Sequence, residues 1–232
     1  MLKRLIKYPF MLGLGYKYIK IFKKTHYHPF ITHKQSNKRL STYRQSYSNK
    51  VLNYLNIDVK VFGEIPKENH KLYAINHRSL LDIIVMENIF SKHDKSGLWI
   101  AKEELFTAIY GDFFKYSGNI SVDIENKKGL ISFFKKLKYS LSRDNDINIY
   151  IFPEGERNKN NQLMKFQTGA SKIAKSNKLD IVPVFINDKL ESVLKKAPYK
   201  KKKIIEVHFG DTIQHHELEE SYNNFTKRIL NG

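Results

Sequence analysis

A histidine and an aspartate five positions apart, His77 and Asp82, lie in LYAINHRSLLDIIVMENIF (residues 72–90), where an apolar run breaks at Asn76, His77, Arg78 and Ser79 and resumes at helical spacing. Along one continuous helix, five residues turn through ~500°, so the two side chains could not share a face. The histidine therefore precedes the helix. With Ser79 as N-cap, Asp82 falls at the third helical position and its carboxylate points back toward His77. An acid so placed accepts the Nδ1 proton of the imidazole, fixes its tautomer and steadies the imidazolium, leaving Nε2 free to take a proton from a substrate hydroxyl. Ser79-x-x-Asp82 is equally a helix-capping pattern with no catalytic purpose. The two uses are compatible, because a carboxylate has two oxygens.

A second loop, FPEGERN (residues 152–158), follows the apolar strand pattern INIYIF. Gly155 permits close backbone approach, and Arg157 offers a planar fork that matches two phosphate oxygens. Taken alone, the loop also reads as a polar strand-to-helix turn with a surface Arg and Glu pair.

The elements that must position these residues alternate. Residues 50–55 close a helix, 59–62 and 72–75 read as strands, and 80–90 as a helix. A strand near 98–101, a short helix at 103–110 and a strand at 119–122 follow. Leu130, Phe133, Phe134, Leu137 and Leu141 make one helical face within 125–142. Then come a buried strand at 147–152, a helix at 168–176, buried strands at 181–186 and in KIIEVHFG, and a helix at 217–230. Residues 25–49 are polar, aromatic and weakly periodic, and read as a connector with short helical pieces. This alternation predicts an α/β fold, with a mostly parallel or mixed central sheet flanked by helices. Ligands in such sheets collect at the carboxyl ends of strands, which brings His77 and the 154–157 loop toward one cleft.

The 232 residues suffice for one substantial core. The absence of cysteine excludes disulfides, thiolate zinc sites and cysteine nucleophiles. His26 with His28, and His215 with His216, lack acidic partners at ligand spacing, so no metal is expected. Lysine and arginine number 41 against 23 acids, a net charge of +18 that attracts anionic lipid, phosphorylated metabolites or nucleic acid. In MLKRLIKYPFMLGLGYKYIKIFKK the charge-free stretch 8–16 is too short to span a bilayer. Its apolar residues share a face with flanking lysines, the pattern of a cationic segment lying in a membrane interface. The expected division is a basic amphipathic membrane-associating segment at 1–45 and a catalytic domain at 46–232.

Together, NHRSLLD, FPEGERN, KFQTGASKIA and IVPVFI strongly resemble the 1-acyl-sn-glycerol-3-phosphate acyltransferase family, with LNIDVKVFGEIP, IAKEEL and EVHFGDTI as matching flanks. The resemblance covers residues 50–213, with four motifs in order. It implies a glycerolipid-acyltransferase fold on the cytoplasmic face of a membrane. The acyl group would pass from acyl-CoA or acyl carrier protein to the free hydroxyl of a lysophosphatidate, without an acyl-enzyme or a cofactor. His77 would be the general base and Asp82 its orienting partner. Arg157, in a loop shaped by Glu154 and Gly155, would bind the acceptor phosphate with Lys102 as a second cation, and Val182 and Pro183 would line the cleft.

Two positions depart from the family pattern. Ile124 stands where an arginine is usual, and Glu156 where a threonine is usual. Both make the phosphate site less cationic and keep another lysolipid or polar acceptor open as an alternative. A basic nucleic-acid-binding protein is the distant alternative, suggested by the net charge and by PYKKKK but unsupported by any helix-turn-helix, RNP-type or zinc pattern.

Overall fold

The long apolar runs become the centre of a sheet, and the amphipathic stretches become its two covers. The computed structural model of the protein describes residues 2–158 and 164–231, and side chains from residue 5 onward. Two helices, α1 (Leu2–His26) and α2 (His33–Leu55), lead into β1 (Ile57–Phe62) and β2 (Lys71–Ile75). Then follow α3 (Leu81–Lys92), β3 (Gly97–Lys102), the short α4 (Glu104–Thr107) and α5 (Gly111–Tyr116), and β4 (Ile120–Val122). The chain continues through α6 (Lys127–Arg143), β5 (Asn148–Ile151), α7 (Gly169–Asn177), β6 (Asp180–Ile186), α8 (Leu190–Lys196), β7 (Lys203–Phe209) and α9 (Leu218–Asn231).

The strands pair in the order β1-β7-β6-β2-β5-β3-β4. All neighbouring strands run parallel except β6 and β7, so the sheet is mixed. β2 lies between β5 and β6, with Ala74 in register with Ile151 on one side and Pro183 on the other. The loops that leave β2 and β5 therefore start side by side, which the sequence order alone does not reveal.

Side chains alternate across the sheet as a pleat requires. Tyr73 and Ile75 face a core shared with Val85, Ile89 and Phe90 of α3. Leu72 and Ala74 face the opposite core, closed by Phe133 and Leu137 of α6, Ile173 of α7 and Tyr222 of α9.

The N-terminal region differs from the expected connector. Residues 33–55 form one unbroken helix of 23 residues, started by a capping box in which Thr32 and Gln35 each accept the other's backbone N–H. Its buried face is partly polar, with Asn37, Ser41, Arg44, Gln45 and Ser48 beside Leu40, Tyr47, Val51, Leu52 and Leu55. The Arg44 Nε bonds Glu87 Oε1 at 2.6 Å, and Trp99 Nε1 donates to the same oxygen at 2.9 Å. The division expected at residue 45 thus falls inside α2. Helix α1 joins the same core through Tyr18 and Phe22. Lys7 is only 2% exposed and donates to the carbonyls of Leu194, Lys195 and Ala197 at the end of α8. Leu5, Leu12 and Tyr16 remain exposed on α1. No described helix is long and apolar enough to cross a membrane.

Candidate active site

The site is built where β2 ends. Asn76, the first residue beyond the strand, clamps the neighbouring β6: its Oδ1 accepts the Ile186 N–H at 2.7 Å and its Nδ2 donates to the Ile186 carbonyl at 3.1 Å. This side-chain clamp extends the ladder by one residue and fixes where His77 emerges. In the sequence Asn76 marks only the first break in the apolar run, and its clamp on β6 follows from a strand order that the sequence does not state.

Asp82 then gathers the turn around one oxygen. Its Oδ2 accepts from His77 Nδ1 at 2.8 Å, from the Arg78 N–H at 2.6 Å and from the Ser79 N–H at 2.8 Å. The helix begins later than the sequence suggested. Leu80 occupies the N-cap position without a side-chain bond, so Asp82 is the second helical residue rather than the third. Ser79 still serves the turn, because its Oγ accepts the Leu81 N–H at 3.2 Å. An aspartate at the start of a helix is favoured by the free N–H groups there and by the positive end of the helix dipole. Capping of the turn and orientation of the His77 ring are thus carried by one carboxylate, only 1% exposed.

An ionised carboxylate only accepts, so Nδ1 is the donor in this bond, and in the neutral ring Nε2 is then the nitrogen with the lone pair. The imidazole side chain is 14% exposed. Its ring lies against Phe152 with centroids 3.8 Å apart and planes 11° from parallel.

The second loop holds His77 from its backbone. Glu154 Oε1 accepts the His77 N–H at 2.7 Å, and the Asn158 N–H donates to the His77 carbonyl at 2.7 Å. Glu154 is only 3% exposed, and burial pushes its carboxyl above the usual range despite the opposing pull of the His77 N–H, Asn158 and Arg78. Gly155 adopts φ +76°, and a Cβ there would fall 3.0 Å from Gln167 Cγ, so the turn requires glycine. Gln167 donates its backbone N–H to Pro153 at 2.8 Å, which ties the start of KFQTGASKIA to this loop.

The remaining expected residues spread outward. Arg157 and Glu156 are exposed, in the loop whose Glu154 and Asn158 bond the His77 backbone. Lys102 ends β3, on the far side of β5 from His77, and is half-buried. Ile124 is exposed just beyond β4. Val182 is not a cleft residue: it packs in the core in register with Tyr73. Pro183 is buried beside it and borders a shallow hollow with Asp211, Ile213 and Phe225. Among the described residues, no three His, Asp or Glu side chains converge as a metal site would need.

The protein-family model named Acyltransferase matches residues 56–187. A 1-acyl-sn-glycerol-3-phosphate acyltransferase of Helicobacter pylori is 39% identical over 118 residues, covering 50% of this chain and 48% of that protein. One of the same name from Haemophilus influenzae is 30% identical over 135 residues, covering 54% and 53%. The chain therefore spans about half the length of these curated relatives. The crystal structure of the 1-acyl-sn-glycerophosphate (LPA) acyltransferase PlsC from Thermotoga maritima superposes with a TM-score of 0.71 at 18% identity, over 98% of this chain and 94% of that one, a likeness of fold.

Proposed function

This chain belongs to the acyltransferase family, and from that premise we propose that it transfers an acyl group from a thioester to the free hydroxyl of 1-acylglycerol-3-phosphate, making phosphatidate. The observation that carries the reading is the 2.8 Å bond between His77 Nδ1 and Asp82 Oδ2, which leaves Nε2 as a base beside an arginine-bearing loop.

The acceptor hydroxyl gives its proton to His77 Nε2 as its oxygen bonds to the thioester carbonyl carbon. Asp82 stabilises the imidazolium that results. The tetrahedral adduct then collapses with cleavage of the C–S bond, and the departing thiolate takes the proton back from Nε2. The imidazole returns to its starting state without an acyl-enzyme. Such base assistance supplies about 10²–10⁴-fold in rate, and positioning of the two substrates supplies a further share. Arg157 and Lys102 hold the phosphate of the acceptor by charge. The donor is acyl-CoA or acyl carrier protein, either of which suits a chain of net charge +18.

The enzyme works peripherally at an anionic membrane on its cytoplasmic face, with the exposed Leu5, Leu12 and Tyr16 of α1 as the apolar contact. A second reading, transfer to another lysolipid or polar acceptor, is favoured by the exposed Ile124 and Glu156, which leave the phosphate site less cationic.

Purified protein in detergent, given a labelled acyl thioester, is expected to acylate lysophosphatidate, and His77→Ala to abolish nearly all of that transfer. Acylation of other lysolipids but not lysophosphatidate would select the second reading. Full activity in His77→Ala would remove the mechanism altogether.

A further inference from the structure

One hydrogen bond at Nδ1 sets where an imidazole begins but lets the ring swing about that point. In this protein a second constraint acts on the ring face. Phe152, the first residue beyond β5, lies almost parallel to His77 at a centroid distance of 3.8 Å. Phe152 is in turn nearly parallel to Trp99 of β3, with centroids 5.2 Å apart and planes 29° from parallel. Trp99 cannot drift, because its indole N–H is spent on Glu87 Oε1, and Glu87 is locked to Arg44 within the core. The plane of the Phe152 ring is thus referred back, through Trp99, to a buried ion pair between α2 and α3.

We infer that Phe152 is a positioning residue for the base: it holds the His77 ring in the plane that aims Nε2 and favours the charged ring as the proton arrives. The inference rests on the acyl-transfer reading of the site. A cation is drawn to the face of an aromatic ring while neutral imidazole gains much less, so the contact strengthens as the proton moves. An interaction stronger in the transition state than in the ground state belongs to kcat rather than KM. The charged groups facing His77 are Asp82 from α3, Glu154 from the loop after β5, and Arg78 beside it in the chain. Substitution of Phe152 removes none of these charges.

The test compares the full chain in detergent with its Phe152→Leu and Phe152→Tyr variants. The His77 ring resonances are followed by NMR against pH, assigned by their loss in His77→Gln, and acyl transfer to lysophosphatidate is measured over the same range. Wild type and Phe152→Tyr are expected to share one titration midpoint. In Phe152→Leu the midpoint and the acid limb of kcat both move to lower pH by about half a unit to one unit. Its plateau kcat falls roughly 3- to 30-fold, with KM for either substrate within about twofold of wild type. Should Phe152→Leu not fold, Phe152→Met fills the same space without a ring and takes its place. A non-aromatic variant that folds and keeps the wild-type midpoint overturns the inference, as does a loss of kcat shared equally by Phe152→Tyr. The NMR arm is independent of activity. A shifted midpoint in a protein that acylates nothing would retain the stack and discard the functional reading.

Discussion

Glu154 and His77, 77 positions apart in sequence, are joined by a 2.7 Å hydrogen bond in which the buried carboxylate accepts the backbone N–H of the proposed base. The base is thereby fixed to two neighbouring strands at once, through its own chain from β2 and through Glu154 from the loop beyond β5.

Burial raises the Glu154 carboxyl above its unfolded value, so the folded protein keeps that proton to higher pH than the unfolded chain does. The stability from this group is complete below the unfolded value and is lost as pH rises through the folded one. Glu154→Gln retains an oxygen for the His77 N–H and does not titrate. Its Tm relative to wild type is expected to climb as pH increases from about 4 to 7, read by thermal denaturation. A difference independent of pH would contradict the assignment. Glu154→Ala leaves the N–H without a partner and is expected to cost about 1–3 kcal/mol.

Asp82 has two duties that separate by substitution. Asp82→Asn can keep an acceptor for the Arg78 and Ser79 N–H groups but loses the charge that steadies the imidazolium. It is expected to melt near wild type with kcat lowered about 10²-fold or more. Asp82→Ala strands three donors and should lose both activity and about 3 kcal/mol or more of stability. Wild-type kcat in Asp82→Asn, assayed beside denaturant unfolding, would assign Asp82 to capping alone.

Arg157 is exposed, so Arg157→Ala should leave the Tm unchanged. Its expected effect is a KM for lysophosphatidate raised about tenfold or more with KM for the thioester unaffected. An equal rise in both constants would argue against a phosphate contact at this side chain.

On α1 the exposed Leu12 and Tyr16 can be changed without opening the core, whereas removal of the helix would uncover the faces that Tyr18 and Phe22 fill. Leu12→Ser with Tyr16→Ser is expected to lower retention on anionic vesicles several-fold in sedimentation, because apolar burial adds to charge attraction at such surfaces. Unchanged retention would take α1 out of the membrane contact.

The alternation of strands and helices was legible because apolar runs such as IVPVFI and the periodic 130–141 face carry strong signals. The His77 and Asp82 pair was legible from the impossibility of one helical face. Helix α2 was not, because its buried side presents Ser41, Arg44, Gln45 and Ser48, and hydrophobic periodicity cannot register polar residues that satisfy one another. Sheet order was equally hidden: nothing local in β2 states that β5 and β6 flank it. Phe152 looked like one more core residue of an apolar strand, since its stacking depends on a partner 75 positions earlier in the chain. Glu154 was read as part of a phosphate loop, and only the register of β2 with β5 gives it the His77 N–H.

The ammonium group of Lys7 closes the last turn of α8, and the first turn of α8 meets Ser79 Oγ through Glu191 at 3.5 Å. Ser79 stands two residues from His77. The leading helix and the turn that carries His77 are thus both joined to α8, one at each of its ends.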